Sequence, residues 1–194
     1  MRATGNLKNF ISNYISLTES EYAYFESFFE IRNFKKKEKL LQEGEVEKYL
    51  NFIVSGFARL FFVKEKEEIV LQFSSENEII CGYESFLSGK PSSFFIESIE
   101  NMDVLSITLE NLEKLFEFSP KIERLGRLFA TQEFLKKAAF DYQRVRVTTQ
   151  ERFIEFVRDN RNLLQRAPQK YIASYLDMKP ETFSRMKHFT KGRL

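Results

Sequence analysis

The chain holds one cysteine and one histidine among 194 residues, and that scarcity removes several chemistries. A lone Cys81 excludes an internal disulfide framework and any four-cysteine metal or iron–sulfur centre. With a single histidine beside it there is no cluster of ligands for a metal and no nucleophile with its base. Carboxylates are plentiful, but nothing pairs them recognisably, so no enzyme, metal or cofactor is expected. Long apolar runs are also missing. Stretches such as Ile69-Val70-Leu71 fall far short of the ~20 residues of a spanning helix. The opening run, Met1-Arg2-Ala3-Thr4-Gly5-Asn6, lacks an apolar signal region, so a cytoplasmic protein with no membrane contact is expected. Hydrophobic residues still make up 43%, enough for a core.

The net charge of +2 hides an asymmetry. Residues 144–194 carry 12 Lys+Arg against 5 Asp+Glu, a net +7, and residues 1–143 carry 18 against 23, a net −5. A basic C-terminal quarter on an acidic body fits local contact with a polyanion, and equally fits a solvated basic surface.

Three textures follow one another along the chain. Residues 7–33 read as helical, with Phe10, Tyr14, Leu17, Phe25, Phe28 and Phe29 on apolar faces. Thr18 followed by Glu21 is a helix-start signature. From 34 to 108 short β-like runs alternate with turn residues, among them residues 49–54, 58–63 and 68–73, with Gly44 and Gly56 where a turn needs positive φ. Strands this short and closely spaced suggest a barrel, roll or sandwich. From 109 onward the period is helical. Ser119 as cap and Pro120 in the first turn open a long helix to about Val147, whose only glycine is Gly126. Leu128, Leu135 and Tyr142 recur every seven residues, flanked by Leu125, Ala138 and Val145. Such a seam suits either a partner helix or the helix's own domain.

The segment 169–188 reads as two short helices around a tight turn. Asp177 sits where such turns need a left-handed residue, and Pro180 and Glu181 suit a helix start. On the second helix Phe183, Met186 and Phe189 fall on one face, suited to packing on Ile172 and Leu176. Glu181, Ser184, Arg185 and His188 fall on the other. Arginine donates twice to guanine and glutamate accepts from cytosine, so these four are candidate base readers. Arg166, Gln169, Lys170, Lys179, Thr182 and Lys187 are candidate phosphate contacts.

Glu181-Thr182-Phe183-Ser184-Arg185 closely resembles the Glu-Thr-x-x-Arg run on the recognition helix of the Crp/Fnr family. The resemblance extends along the chain in order. Gly44, the run Leu50–Gly56 and Arg59 look like an early β-roll, and residues 120–147 look like a dimer helix. It implies an α+β protein with a β-roll sensor (1–119), a dimerisation helix (120–147) and a C-terminal helix-turn-helix domain (148–194), winged-helix-like. With Leu194 just beyond the recognition helix, a wing is expected to be absent or minimal. The implied partners are double-stranded DNA, a second copy of the chain, RNA polymerase and a small-molecule effector. The dimer interface would comprise Leu125, Leu128, Leu135, Ala138, Tyr142 and Val145.

The sensor departs from its cyclic-nucleotide-binding members. Their phosphate-gripping arginine is replaced by Ser92 in the stretch from Gly82-Tyr83-Glu84 to Pro91-Ser92-Ser93, and no arginine occurs between Arg59 and Arg124. Lys90 supplies a point charge but no planar fork, so cyclic AMP is not the expected effector. Gly82, Glu84, Phe86, Ser92, Ser93 and Phe94 are the candidate effector pocket, although Phe86, Phe94 and Phe95 read equally as core. Family sensors based on iron–sulfur clusters or histidine-held haem do not fit, because Cys81 is alone and His188 lies on the reading helix. Cys81 reads as a small core residue or a redox switch. The competing reading is a ligand-binding β-roll that acts through protein partners without touching DNA.

Overall fold

The computed structural model describes residues 2–190. Two helices, α1 (Arg2–Ser12) and α2 (Glu19–Glu26), precede the strands β1 (Glu30–Phe34), β2 (Lys39–Leu41), β3 (Tyr49–Ser55), β4 (Ala58–Lys64), β5 (Glu67–Ser74) and β6 (Ile79–Ile80). A short helix, α3 (Tyr83–Ser88), interrupts the strands before β7 (Phe95–Ser98) and β8 (Met102–Thr108). Six helices complete the described chain: α4 (Leu109–Phe118), α5 (Pro120–Arg146), α6 (Thr149–Asp159), α7 (Arg161–Arg166), α8 (Gln169–Tyr175) and α9 (Pro180–Thr190).

The strands form two antiparallel four-stranded sheets, ordered β1-β8-β3-β6 and β2-β7-β4-β5. Phe34, Leu41, Ile53, Leu60, Ile80, Ile96, Met102 and Val104 fill the space between them. A second core lies where α1, α2, α4 and the start of α5 cover the first sheet, with Ile11, Tyr22, Phe25, Phe52, Ile107, Leu115 and Ile122 buried together. These alternating inward positions explain why the runs read as strands: side chains on a strand point to opposite faces in turn, and one face is dry.

Two stretches differ from the local reading. Helix is expected through residue 33, but Glu30–Phe34 is β1, paired residue for residue with β8 from Glu30↔Ser106 to Phe34↔Met102. Pairing with a distant strand satisfies the backbone there, and a local pattern carries no record of that partner. Tyr83–Ser88 is a helix inside a region read as strands, closed by the left-handed Gly89. Thr18 and Glu21 form the expected capping box, and Thr148 and Glu151 form another. Ser119 stands at the cap position of α5 without a side-chain capping bond, so Pro120 alone marks that start. Gly126 lets α4 and α5 meet, since a Cβ there would lie 2.5 Å from Cζ of Phe116.

Gly44 and Gly56 both adopt positive φ, at +86° and +100°. They differ in surroundings. A Cβ on Gly56 would lie 2.6 Å from the Asn101 carbonyl oxygen, whereas nothing lies within 4 Å of one on Gly44. Backbone strain of this kind amounts to about 1–3 kcal/mol, and the clash with rigid backbone adds to it only at Gly56. We expect Gly56→Ala to lower stability by at least about 2 kcal/mol and Gly44→Ala by about 1 kcal/mol. Urea denaturation of both variants checks this, and equal losses would refute the steric account.

Candidate nucleic-acid interface

The C-terminal module is built around one turn. The amide of Leu176 donates to Ile172 O at 3.0 Å, that of Asp177 to Ser174 O at 3.0 Å and that of Met178 to Ala173 O at 2.9 Å. This closure requires Asp177 to take a left-handed conformation, and its φ is +58°. Aspartate tolerates that region better than a branched residue does. Pro180 then opens α9, where its missing amide leaves no bond unmade. Phe183 points inward, fully buried, and meets Phe153 edge-on with ring centroids 5.3 Å apart. Ile172, Ala173 and Leu176 complete the same core, with Met186 packed against it.

With Phe183 fixed inward, helical spacing turns Glu181, Ser184 and Arg185 to solvent, and all three are exposed. The fourth candidate reader, His188, and the packing residue Phe189 have side chains outside the described residues. Gln169, Lys170 and Lys179 are exposed, while Thr182 and Lys187 are half-buried. The Lys170 ammonium lies 4.8 Å above the Tyr171 ring, toward the first turn of α8.

Arg166 behaves differently from the other candidate phosphate contacts. Its Nε and Nη2 donate to Glu100 at 3.0 and 2.8 Å, and its Nη1 and Nη2 donate to Glu76 at 2.8 Å each. These bonds raise the arginine's proton affinity and hold the Glu76 carboxyl below its ordinary range. Both carboxylates lie in loops between strands, Glu76 between β5 and β6 and Glu100 between β7 and β8, so the module is docked on the β-structure.

Docking has three further parts. Ser174 of α8 accepts from the Val70 amide at 3.0 Å and donates to Glu68 O at 2.8 Å. Arg59 of β4 lies with its guanidinium 3.6 Å from the Tyr171 ring centroid and 3.9 Å from that of Phe61. Its charge is matched by Glu97 at 2.8 Å and Glu68 at 2.9 Å, and its side chain has no exposure. Tyr175 sits among Phe73 of β5, Phe140 of α5 and Phe156 of α6, at 5.3, 5.4 and 5.7 Å. Burial raises the pKa of its phenol. Beside it lies a cleft of about 650 Å³ lined by residues of the second sheet, α5 and the C-terminal module, Phe73, Phe129, Lys136, Phe140, Phe156 and Tyr175 among them.

Helix α5 has two apolar faces. Phe129 and Phe140 turn toward the cleft, while Leu135, Tyr142 and Val145 are 60%, 77% and 90% exposed. Phe134 beside them is exposed, and Leu128 and Ala138 are half-buried. Leu125, read from the sequence as part of the same seam, packs instead in the core with Leu115 and Ile122, because α1, α2 and α4 cover this end of the helix.

None of the six candidate effector residues lines the cleft. Gly82 and Phe86 are buried, Glu84 and Ser93 are exposed, and Phe94 is half-buried against the sheet core. The Ser92 hydroxyl turns to backbone, accepting from the Phe94 amide at 3.0 Å. A residue not singled out by the sequence lies close by. Glu47 is buried and accepts from the amides of Tyr49 and Gly82 at 3.1 and 3.3 Å, and burial raises its pKa. Ser85 joins it, accepting from the Glu47 amide at 2.9 Å. The only signal for Glu47 was its place three residues after Gly44. Cys81 is buried and its pKa is raised well above the ordinary value by burial.

Residues 31–118 match the family model of the cyclic nucleotide-binding domain. Among curated proteins none matches the chain. The whole arrangement is similar to solved structures. FixK2 from Bradyrhizobium japonicum is 20% identical with a TM-score of 0.70, over 85% of each chain. The catabolite activator protein of Thermus thermophilus is 20% identical with a TM-score of 0.56, over 92% of this chain and 86% of that one. CLP of Xanthomonas campestris, a c-di-GMP responsive global regulator, is 13% identical with a TM-score of 0.68, over 90% of this chain and 92% of that one. The α+β fold of β-roll, long helix and C-terminal helical module is therefore shared with these solved structures.

Proposed function

We propose that this chain, which shares the architecture of the Crp/Fnr-type regulators, is a cytoplasmic sequence-specific DNA-binding transcriptional regulator acting as a homodimer. The observation that carries the reading is the outer face of α9. Glu181, Ser184 and Arg185 stand exposed on a helix whose other face is fixed by Phe183, beyond a turn set by the left-handed Asp177. Two such helices related by a dimer axis enter successive major grooves about 34 Å apart, so the operator is an inverted repeat. Arg185 reads guanine through O6 and N7, and Glu181 accepts from a cytosine amino group. Gln169, Lys170 and Lys179 hold phosphates and set the register.

The dimer forms along the outer face of α5. A single chain leaves Leu135, Tyr142 and Val145 largely in water, and a parallel partner helix buries them together. Leu135→Glu is expected to give monomers and to weaken DNA binding. A wild-type chain that sediments as a monomer at micromolar concentration would remove this part of the reading.

Cyclic AMP is not the effector in this reading. A cyclic phosphate needs a charged, forked donor. Ser92 offers a hydroxyl already bonded to backbone, Arg59 is enclosed between two rings, and the carboxylate of Glu47 lies at Gly82. Titration calorimetry with cyclic AMP and cyclic GMP should register no binding in the micromolar range, and a micromolar dissociation constant for either overturns it.

Base reading and phosphate gripping separate experimentally. Arg185→Ala is expected to lose about 1–3 kcal/mol per half-site on the operator and to relax preference at one symmetric position. Lys170→Ala is expected to weaken binding to every sequence and flatten its salt dependence. Binding to an operator selected from random duplexes, measured beside an unselected duplex, checks both. Equal losses on the two duplexes for Arg185→Ala would make Arg185 a backbone contact.

A further inference from the structure

Among the candidate phosphate contacts, Arg166 is one that the chain itself occupies with carboxylates. Four of its five N–H donors go to Glu76 and Glu100, and its side chain is 18% exposed. The fork geometry that binds two carboxylate oxygens also binds two phosphate oxygens. Arg166 ends α7, three residues before Gln169 opens α8, so it adjoins the exposed Gln169 and Lys170. Its guanidinium also lies 5.1 Å from the Phe57 ring centroid of the β-roll. Two carboxylates on one guanidinium leave surplus negative charge beside a surface that would meet DNA.

We propose that Glu76 and Glu100 are an intramolecular competitor for DNA phosphate at Arg166, so that docking of the C-terminal module on the β-roll restrains its grip on the backbone. The inference rests on the DNA-binding reading above. The carboxylates and the phosphates use the same donors and cannot hold them together. Release of Arg166 adds one phosphate contact per protomer, two per dimer. Whatever loosens the loop of Glu76, between β5 and β6, or that of Glu100, between β7 and β8, therefore raises DNA affinity without touching the reading face. The gain is blind to sequence, because phosphates carry no sequence information.

The test uses the full chain, with Glu76→Gln, Glu100→Gln and the double variant, and a random-sequence DNA duplex titrated over a range of salt. Glutamine keeps an oxygen for the Gly56 amide, which donates to Glu76 at 2.9 Å, so the turn retains its partner. The double variant should bind several-fold more tightly than wild type. Its slope of log affinity against log salt should steepen by about 0.9 for each added contact, about 2 per dimer. Each single variant should fall between, and Arg166→Ala placed in the double variant should abolish the added slope. Circular dichroism melting identifies any variant that fails to fold, and the singles, which leave Arg166 one carboxylate, then carry the test. Unchanged affinity and slope, or weaker binding by folded variants, would overturn the competitor and make the cluster a strut. Wild-type chain that binds no duplex at low salt would instead remove the DNA-binding reading itself.

Discussion

A cation with no access to water has to be matched where it stands, and Arg59 is such a cation. An unpaired buried charge is among the most unfavourable things a fold can contain. The guanidinium therefore constrains everything around it. Glu97 on β7 and Glu68 on β5 must flank β4, which fixes the second sheet, and Tyr171 of α8 must cover the open face. Removing either carboxylate would leave a charge stranded, and removing the ring would admit water. The interaction is better understood as fixing one geometry than as a large source of stability, since desolvation offsets much of the attraction.

From that point the C-terminal module has little freedom on the β-roll. Its hydrophobic core is not closed by its own residues, because Phe57 and Ile99 of the β-roll are buried in the same cluster as Phe153, Ile172 and Phe183. Ser174 ties α8 to the backbone of β5, where an edge strand would otherwise present unpaired groups to solvent. Tyr175 brings β5, α5 and α6 together through three rings. A displacement in the second sheet or in α5 is thus felt by α8 directly, and α9 follows because Phe183 packs on α8. The direction in which Glu181 and Arg185 face is set by the sheet as much as by the helix that carries them.

What the sequence revealed follows the same division between local and distant causes. The turn at Asp177, the start at Pro180 and the capping boxes at Thr18 and Thr148 all depend on chemistry within a few residues. The first three were legible in advance. The seven-residue period of α5 marked Leu135 and Tyr142 as one seam but left open whether it faced a partner or the chain's own domain, and it gave no sign that Leu125 would be covered, since its cover comes from α1, α2 and α4. Strand β1 was hidden because its partner, β8, lies about 70 residues away and its own pattern is mostly exposed. The burial of Arg59 and Glu47 and the capture of Arg166 were hidden for the same reason. A charged residue in a sequence gives no sign of whether its partner is water, DNA or a carboxylate brought in by the fold.

The charge asymmetry acquires a second meaning in this light. A C-terminal stretch of net +7, residues 144–194, on a body of net −5 suits contact with a polyanion, and it suits contact with its own body by the same force. The β-roll presents Glu68, Glu76, Glu97 and Glu100 along the side where the module sits, and two of these four engage Arg166. Exposed lysines beyond the contact keep their charge for a polyanion, while the arginine at the contact has its charge answered from within. Both attractions weaken as salt rises, but the internal one is partly shielded from solvent and is not diluted by concentration. Under the proposed DNA-binding reading, basic residues divide by position into those exposed on α8 and α9, such as Lys170 and Lys179, and those, such as Arg166, freed only when the module lifts. Charge counting along the sequence cannot separate the two sets, and the docking surface does.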